Sequence, residues 1–178
     1  MERVTLTIIA DHAEIKDYYE KYLASTGEEK AKLFDLFRWK LASHTVSEEL
    51  MLHPAFANAG LEGALKDSEA HNLVKAELIK LDSMDATSGE TIMKELYSSL
   101  LPHFAEEENV DLPELESKLS DTESNALFVR FDSGRAMFAR DAANPPAERP
   151  FSKTADLFAT PHDKLREMAA IHHGTAMK

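Results

Sequence analysis

The segment SHTVSEELMLHP at residues 43–54 places His44 four positions before Glu48, and the same spacing recurs at His103 and Glu107. Residues at positions i and i+4 of an α-helix project from one face. Each pair therefore offers an imidazole nitrogen and a carboxylate to a single point beside its helix. This spacing is typical of metal ligands on a helix.

Two further histidines, His12 and His71, complete a set of four, with one histidine on each of four predicted helices. A helix rises about 1.5 Å per residue, so residues equally far from a connecting turn lie at one level of an antiparallel bundle. The four histidines meet this condition to within about four residues of helix. We therefore predict that they share one layer of the bundle core.

The four helices are predicted because apolar residues recur at three- and four-residue spacing between turn signals. No run of strict apolar/polar alternation is long enough to predict a strand. We expect Pro54 to close the second helix, since proline cannot continue the hydrogen-bond ladder, and Leu73 to lie in the core. Short connections predict an all-α, up-down-up-down four-helix bundle. Its helices are predicted from about Leu6 to Ala24, Glu28 to Leu52, Leu61 or Asp67 to Asp82, and Gly89 to Asn109.

The chain is predicted to have two parts, a bundle of residues 1–120 and a helical C-terminal extension of residues 121–178 packed on it. Within the extension, residues 122–140 form a predicted helix, DAANPPAERP a loop, and Thr160 with Pro161 a helix start. No internal repeat at a fixed period is apparent. The three histidines of the extension are expected at the surface: His162, His172 and His173.

Composition excludes several classes of function. The 178 residues contain no cysteine, which excludes disulfides, thiolate zinc sites and iron–sulfur clusters. The net charge of -12 opposes binding to nucleic acid. No apolar run approaches the roughly 20 residues of a membrane span, and the first residues lack the apolar core of a secretory signal. We expect a cytoplasmic protein without a nucleic-acid or membrane partner.

Any metal ion must accordingly be held by imidazole and carboxylate groups. Each His-x-x-x-Glu pair alone is weak, because glutamate is abundant in this acidic chain, but one histidine per helix at matching depth is a far rarer pattern. Four imidazoles and two carboxylates fit a pair of first-row metal ions bridged by the carboxylates. Iron is the first choice and manganese the second.

Four segments resemble the successive signatures of the hemerythrin-like, or HHE cation-binding, domain family: ADHAEIK, SHTVSEELMLHP, EAHNLVKAEL and HFAEEENVDLPEL. The resemblance spans about residues 5–120, and the extension resembles that of fungal members. It implies a non-haem di-iron centre with an oxo, hydroxo or water bridge. The ligands it implies are His12, His44, Glu48, His71, His103 and Glu107, with the two glutamates as bridges.

The chain departs from the oxygen-carrying members at Lys75, where they have a further histidine. Either an iron has an additional open position, or Glu49, Glu108 or water fills it, and a more open iron favours redox chemistry over reversible oxygen carriage. Lys75 is a candidate for stabilising a bound anion or peroxide. Glu107 is preferred to Glu108 as a ligand because it fits the His-x-x-x-Glu form. For His53 two places are open, behind the metal ligands or at a solvated helix end beside Pro54, and the second is expected.

Two classes of function follow from this resemblance. The first is a redox-active di-iron protein that binds dioxygen or peroxide and turns over peroxide, binds nitric oxide or oxidises a small molecule. The second is an iron or oxygen sensor, or an iron buffer, without turnover. All of these uses share one ligand set, so the sequence leaves open whether the protein is an enzyme.

Overall fold

The computed structural model of the chain describes residues 2–138 and 150–176, which contain helices and no β-strand. Four long helices form an up-down-up-down bundle, which confirms the predicted fold class. None of the described helices is long and apolar enough to cross a membrane. The helices are α1 (Val4–Ala24), α2 (Gly27–Ser47), α3 (His53–Asn58), α4 (Gly63–Leu81), α5 (Glu90–Glu106), α6 (Leu112–Glu116), α7 (Asp121–Phe138), α8 (Thr154–Ala159) and α9 (His162–Ala176); α1, α2, α4 and α5 make the bundle.

Two bundle helices continue through a π-helical turn. The turn Glu48–Leu52 joins α2 to α3, and the turn Glu107–Asp111 joins α5 to α6. Such turns hold one extra residue inside a helix and are frequent at functional sites. Pro54 and Pro113 follow them in the first turn of the next helix, where a missing N–H is tolerated. The prediction that Pro54 closes the second helix is therefore wrong, because the chain stays helical to Asn58.

Two apolar clusters lie on either side of the histidine layer. Along α1, Ile8 belongs to the smaller cluster, and Ile15 to the larger one, with His12 between them. Along the second bundle helix, Leu41 of the larger cluster precedes His44, and Leu52 of the smaller cluster follows Glu48, although Leu50 also belongs to the larger cluster. Each fully buried aliphatic or phenyl side chain contributes about 1.5–3 kcal/mol relative to exposure. Apolar packing of this strength lies at both ends of the polar layer.

The connection between α4 and α5 is a tight turn. The Asp85 carboxylate accepts hydrogen bonds from the backbone N–H groups of Thr87 and Ser88, each at 2.8 Å. At Gly89 a Cβ atom would lie 2.9 Å from the side chains of Leu81 and Phe34. A larger residue at this position would therefore require the side chains of Leu81 and Phe34 to shift.

The extension packs on the bundle, with α7 against α1 and α2, and α8 against α4. The Asp82 carboxylate accepts hydrogen bonds from the backbone N–H groups of Thr154 and Ala155 at 3.0 and 2.9 Å, and so caps α8. It also pairs with the buried Arg38 guanidinium. The helix start predicted after Thr160 is found in α9, whereas α8 was not predicted. Residues 141–149 of the predicted loop lie outside the described residues, as do the side chains of His172 and His173.

Candidate metal centre

Glu48 faces one histidine from each half of the bundle. Its Oε1 atom lies 3.3 Å from Nε2 of His44, which is one turn earlier on α2. Its Oε2 atom lies 3.2 Å from Nε2 of His71 on α4. The single carboxylate therefore spans two imidazoles that come from different helices.

Glu107 likewise faces two imidazoles, one from each of the other two bundle helices. Its Oε2 atom lies 3.2 Å from Nε2 of His12 on α1 and 3.6 Å from Nε2 of His103 on α5. All six residues that the resemblance implied as ligands thus meet in one layer. Their side chains are almost fully buried, apart from His103, whose side chain is 12% exposed.

The donor atoms fall into two groups within which all atoms lie no more than 4.8 Å apart. Glu107 belongs to both groups, and the two oxygens of Glu48 point to one histidine of each. Two neighbouring cations could therefore share these carboxylates. The groups are His12, His44, Glu48 and Glu107, and His71, His103 and Glu107.

The chemistry of these donors fits a pair of cations. Both oxygens of Glu48 and of Glu107, and Nε2 of His12 and His44, are buried and have no hydrogen-bond partner among the described residues. Burying an ionised carboxylate costs several kcal/mol unless hydrogen bonds or cations compensate it. Two such groups facing each other repel as well. Divalent cations among them would compensate both costs, and nitrogen and oxygen donors without thiolate suit iron or manganese.

A second set of carboxylates lies behind the histidine rings, at their Nδ1 atoms. A hydrogen bond at Nδ1 fixes the ring orientation and leaves Nε2 free to bind a cation; the contact of His12 is such a bond, whereas those of His44 and His71 are longer ion-pair contacts. Glu49 and Glu108 take this place and contact Nδ1 atoms, not the Nε2 atoms that face the centre. The contacts are Glu108 Oε1 to His12 at 2.8 Å, Glu49 Oε1 to His71 at 3.5 Å and Asp11 Oδ2 to His44 at 3.5 Å.

The centre is built twice from one pattern. Adding 59 to the positions of His12, Lys16, His44, Glu48, Glu49 and Pro54 gives His71, Lys75, His103, Glu107, Glu108 and Pro113. The contacts repeat as well. Nζ of Lys16 lies 3.5 Å from Oε1 of Glu108, and Nζ of the matching Lys75 lies 2.7 Å from Oε1 of Glu49. The reading that the chain has no fixed-period repeat is therefore wrong for these positions. The repeat was missed because it is confined to scattered polar residues.

Lys75 pairs with the carboxylate of Glu49. Its Nζ atom contacts Oε1 of Glu49, which in turn faces Nδ1 of His71. Lys75 therefore acts on the histidine layer through Glu49. The matching contact of Lys16 was not predicted, although the 59-residue relation identifies it.

The Asp11 carboxylate behind His44 is itself held by two cations. Lys40 Nζ donates to it at 2.7 Å and Arg135 Nη1 of α7 at 2.5 Å. Burial opposes its charge, but His44 and these two cations outweigh burial and hold the pKa of Asp11 below its ordinary value. The extension thus reaches the centre through α7.

The half of the centre that contains His12 and His44 differs from the half that contains His71 and His103 in the carboxylates behind the rings. The position that matches Asp11 is Ala70, and no carboxylate lies within ion-pair distance of Nδ1 of His103 in the described parts of the chain. His103 is also the most exposed of the four histidines. The half that contains His71 and His103 is therefore the more open one.

Two histidines outside the six also lie near the centre. His53 stacks on His71 with ring centroids 5.2 Å apart, and burial lowers the pKa of His53 to about 4. The expectation of a solvated helix end is wrong, because the π-helical turn carries this residue into the bundle. His162 is half-exposed, as expected for a surface residue, but its Nε2 atom lies 3.4 Å from Oε2 of Glu49.

Burial and neighbouring charges shift the ionisation of the centre in opposite directions. Burial and the Glu107 carboxylate raise the pKa of Glu48 well above its ordinary value. Burial lowers the pKa of His44 to about 4. For His71, burial is outweighed by Glu48 and Glu49, which raise the pKa of His71 to about 10. Protons and cations therefore compete for the same atoms.

Comparison with known proteins gives a concordant result. Residues 4–122 match the family described as the hemerythrin HHE cation binding domain. An uncharacterised hemerythrin-like protein from Schizosaccharomyces pombe is 36% identical over 177 residues, which cover 94% of this chain and 87% of that protein. Its similarity therefore includes most of the extension. No solved structure matches the chain.

Proposed function

Because the chain belongs to the hemerythrin HHE cation-binding family, we propose that it is a non-haem di-iron protein that binds dioxygen or peroxide and is redox-active. The observation that carries this proposal is the layer of buried imidazole and carboxylate atoms without hydrogen-bond partners. Manganese is the second choice of metal. A cytoplasmic location remains our prediction from the sequence.

In this proposal His12 and His44 would hold one iron, and His71 and His103 would hold the other. Glu48 and Glu107 bridge the two, since each carboxylate faces a histidine of both pairs or belongs to both donor groups. Two Fe(II) ions held by these residues would supply two electrons to a bound small molecule, each ion being oxidised to Fe(III). The carboxylates behind the rings keep the Nε2 lone pairs directed inward.

The chain's own residues favour the half containing His71 and His103 as the place where the small molecule binds. This half includes the partly exposed His103, whose Nδ1 has no carboxylate behind it among the described residues. The other half is closed by Phe104, whose ring stacks on His12 with centroids 3.9 Å apart. Lys75 holds Glu49 in place and is not expected to contact the small molecule.

Iron content tests the proposal first. Protein loaded with Fe(II) under anaerobic conditions should retain about two irons per chain after loosely bound metal is removed. The His44→Ala/His103→Ala variant should lose them. His53→Asn is a matched control, because its imidazole is near the centre but outside both donor groups. Iron that the double variant retains, or an absence of bound iron in the unaltered protein, would overturn the assignment.

Peroxide and dioxygen consumption by the loaded protein test the redox part. We expect consumption faster than that of an equal concentration of free Fe(II), and lost in the double variant. Stable binding of two irons without consumption would instead favour the alternative, an iron or oxygen sensor or an iron buffer. The two measurements therefore separate the metal assignment from the activity.

A further inference from the structure

A pocket of about 470 Å³ lies between the first π-helical turn, α7 and α9. Pockets that bind small molecules typically measure about 300–1,000 Å³ and are mostly apolar with a few polar groups. Leu50 and Met51 of the turn, Val129 of α7 and Ala169 of α9 contribute apolar surface. The extension thus forms two of the three walls of a site of suitable size.

The polar groups of this pocket are mainly cationic. Arg130 and Arg166 line it, and no acidic residue does so in the described parts of the chain. The guanidinium of Arg130 bonds to the carbonyl oxygen of Ala126 and has no carboxylate partner among the described residues. Arg166 pairs with Asp163, whose side chain is 95% exposed, and exposed pairs of this kind are weak.

Two arginines in an apolar wall favour one chemical class of ligand. The net charge of the chain is -12, so a local excess of positive charge in a pocket contrasts with the protein as a whole. Guanidinium groups bind carboxylates in a planar, two-bonded geometry. The apolar surface suits the hydrocarbon part of the same molecule.

We propose that this pocket binds a small organic acid with an apolar body, whose carboxylate faces Arg130 and Arg166. The site is separate from the six candidate metal ligands and does not depend on the proposed redox function. It shares the π-helical turn with the metal centre, because Leu50 follows Glu49 directly. Arg166 donates from Nε to the carbonyl oxygen of Leu50 at 3.3 Å, so the occupant would contact the same turn.

Calorimetric titration of the full-length chain tests the proposal with octanoate, octan-1-ol and octylammonium. Octanoate should bind saturably to both metal-free and metal-loaded protein, octan-1-ol more weakly, and octylammonium least. Equal binding of octanoate and octylammonium would overturn the proposal, as would an absence of saturable octanoate binding. Iron content is measured in parallel, so that a failure of the metal assignment is recorded separately.

Two variants separate the head group from the apolar body. Arg130→Gln should weaken octanoate about tenfold or more and leave octan-1-ol unchanged, since one charged hydrogen bond is removed. Ala170→Leu, at an exposed lining position, should weaken both ligands by reducing the space. Lys32→Gln makes the same change of charge at an exposed position outside the pocket and should leave both affinities unchanged. Octanoate binding that is unaffected by Arg130→Gln would contradict the assignment.

Discussion

Replacing Glu48 with glutamine should have opposite effects on the metal-free and the metal-loaded protein. The Glu48 side chain is fully buried, and neither of its oxygens has a hydrogen-bond partner among the described residues. Burial and Glu107 raise the pKa of Glu48 above 4.5 in the folded state. The proton is therefore bound more tightly by the folded chain than by the unfolded chain. This contribution to stability is complete below pH 4.5 and is lost as the pH rises through the folded-state pKa.

Glutamine carries no charge, so the variant should escape this loss. Burying an ionised carboxylate costs several kcal/mol more than burying a neutral amide, and the lost attraction between Glu48 and His71 offsets part of this difference. Metal-free Glu48→Gln should therefore gain about 1–3 kcal/mol over the unaltered chain at alkaline pH. With metal present, the unaltered chain should be more stable than the variant. A ligand at 1,000 times its Kd stabilises a protein by about 4.1 kcal/mol, and a variant that no longer binds the metal gains nothing.

Urea unfolding of both proteins, with and without Mn(II), measures these differences at pH 4.5 and pH 8. Mn(II) avoids oxidation during the experiment. Glu95→Gln is the matched control, because Glu95 is exposed on α5, and surface substitutions usually change stability by no more than about 0.5 kcal/mol. A metal-free variant less stable than the unaltered chain at pH 8, or equal stabilisation of both by metal, would refute the reasoning.

Four further outcomes follow from other contacts. Asp82→Ala leaves the buried Arg38 without its partner and should cost about 3–5 kcal/mol in urea unfolding; a loss below about 1 kcal/mol would contradict this. Gly89→Ala should cost about 1–3 kcal/mol, because the new methyl group overlaps its neighbours, and thermal unfolding measures it. Burial and Glu90 raise the pKa of Tyr22 to about 12, so its stabilising effect should be lost between pH 10 and pH 12; ultraviolet titration against Tyr22→Phe identifies the phenol. His162→Ala should speed metal release to a chelator about tenfold with unchanged stoichiometry, and an unchanged rate would remove this residue from the centre.

The positions of the inward-facing residues could be predicted because they depend on simple periodicities. The i, i+4 spacing places His44 and Glu48 on one face of α2, as it does His103 and Glu107 on α5. Equal distances from connecting turns place the histidines in one layer. Neither inference needs any side-chain packing. The same periodicity assigned Leu73 to the core, yet that side chain is 67% exposed.

The second set of carboxylates could not be predicted from α-helical periodicity. Glu49 follows Glu48, and adjacent residues of an α-helix with 3.6 residues per turn point about 100° apart. Treating residues 28–52 as one regular helix therefore assigns only one of the two glutamates to the interior. The π-helical turn changes that spacing, and no residue type alone indicates where such a turn begins.

The π-helical turns explain why two consecutive glutamates act on one histidine. Glu48 faces Nε2 of His71 and Glu49 faces its Nδ1, so the pair holds opposite edges of the same ring. Glu107 and Glu108 hold His12 in the same way. In both cases the histidine comes from another bundle helix, so the contact fixes the relative position of two helices as well as the ring.

The combination His-x3-Glu-Glu-x4-Pro therefore has a physical meaning that its separate parts lack. The first glutamate faces the Nε2 atoms of the histidine layer, and the second contacts the Nδ1 atom of a histidine from another helix. The proline lies in the first turn after the π-helical turn, where its missing N–H is tolerated. Two copies of this combination, 59 residues apart, supply four of the six inward-facing residues. The two glutamates of each copy contact a histidine on another helix, and the lysine four residues after that histidine contacts the second glutamate. The same residues therefore specify both the candidate metal centre and the pairing of the bundle helices.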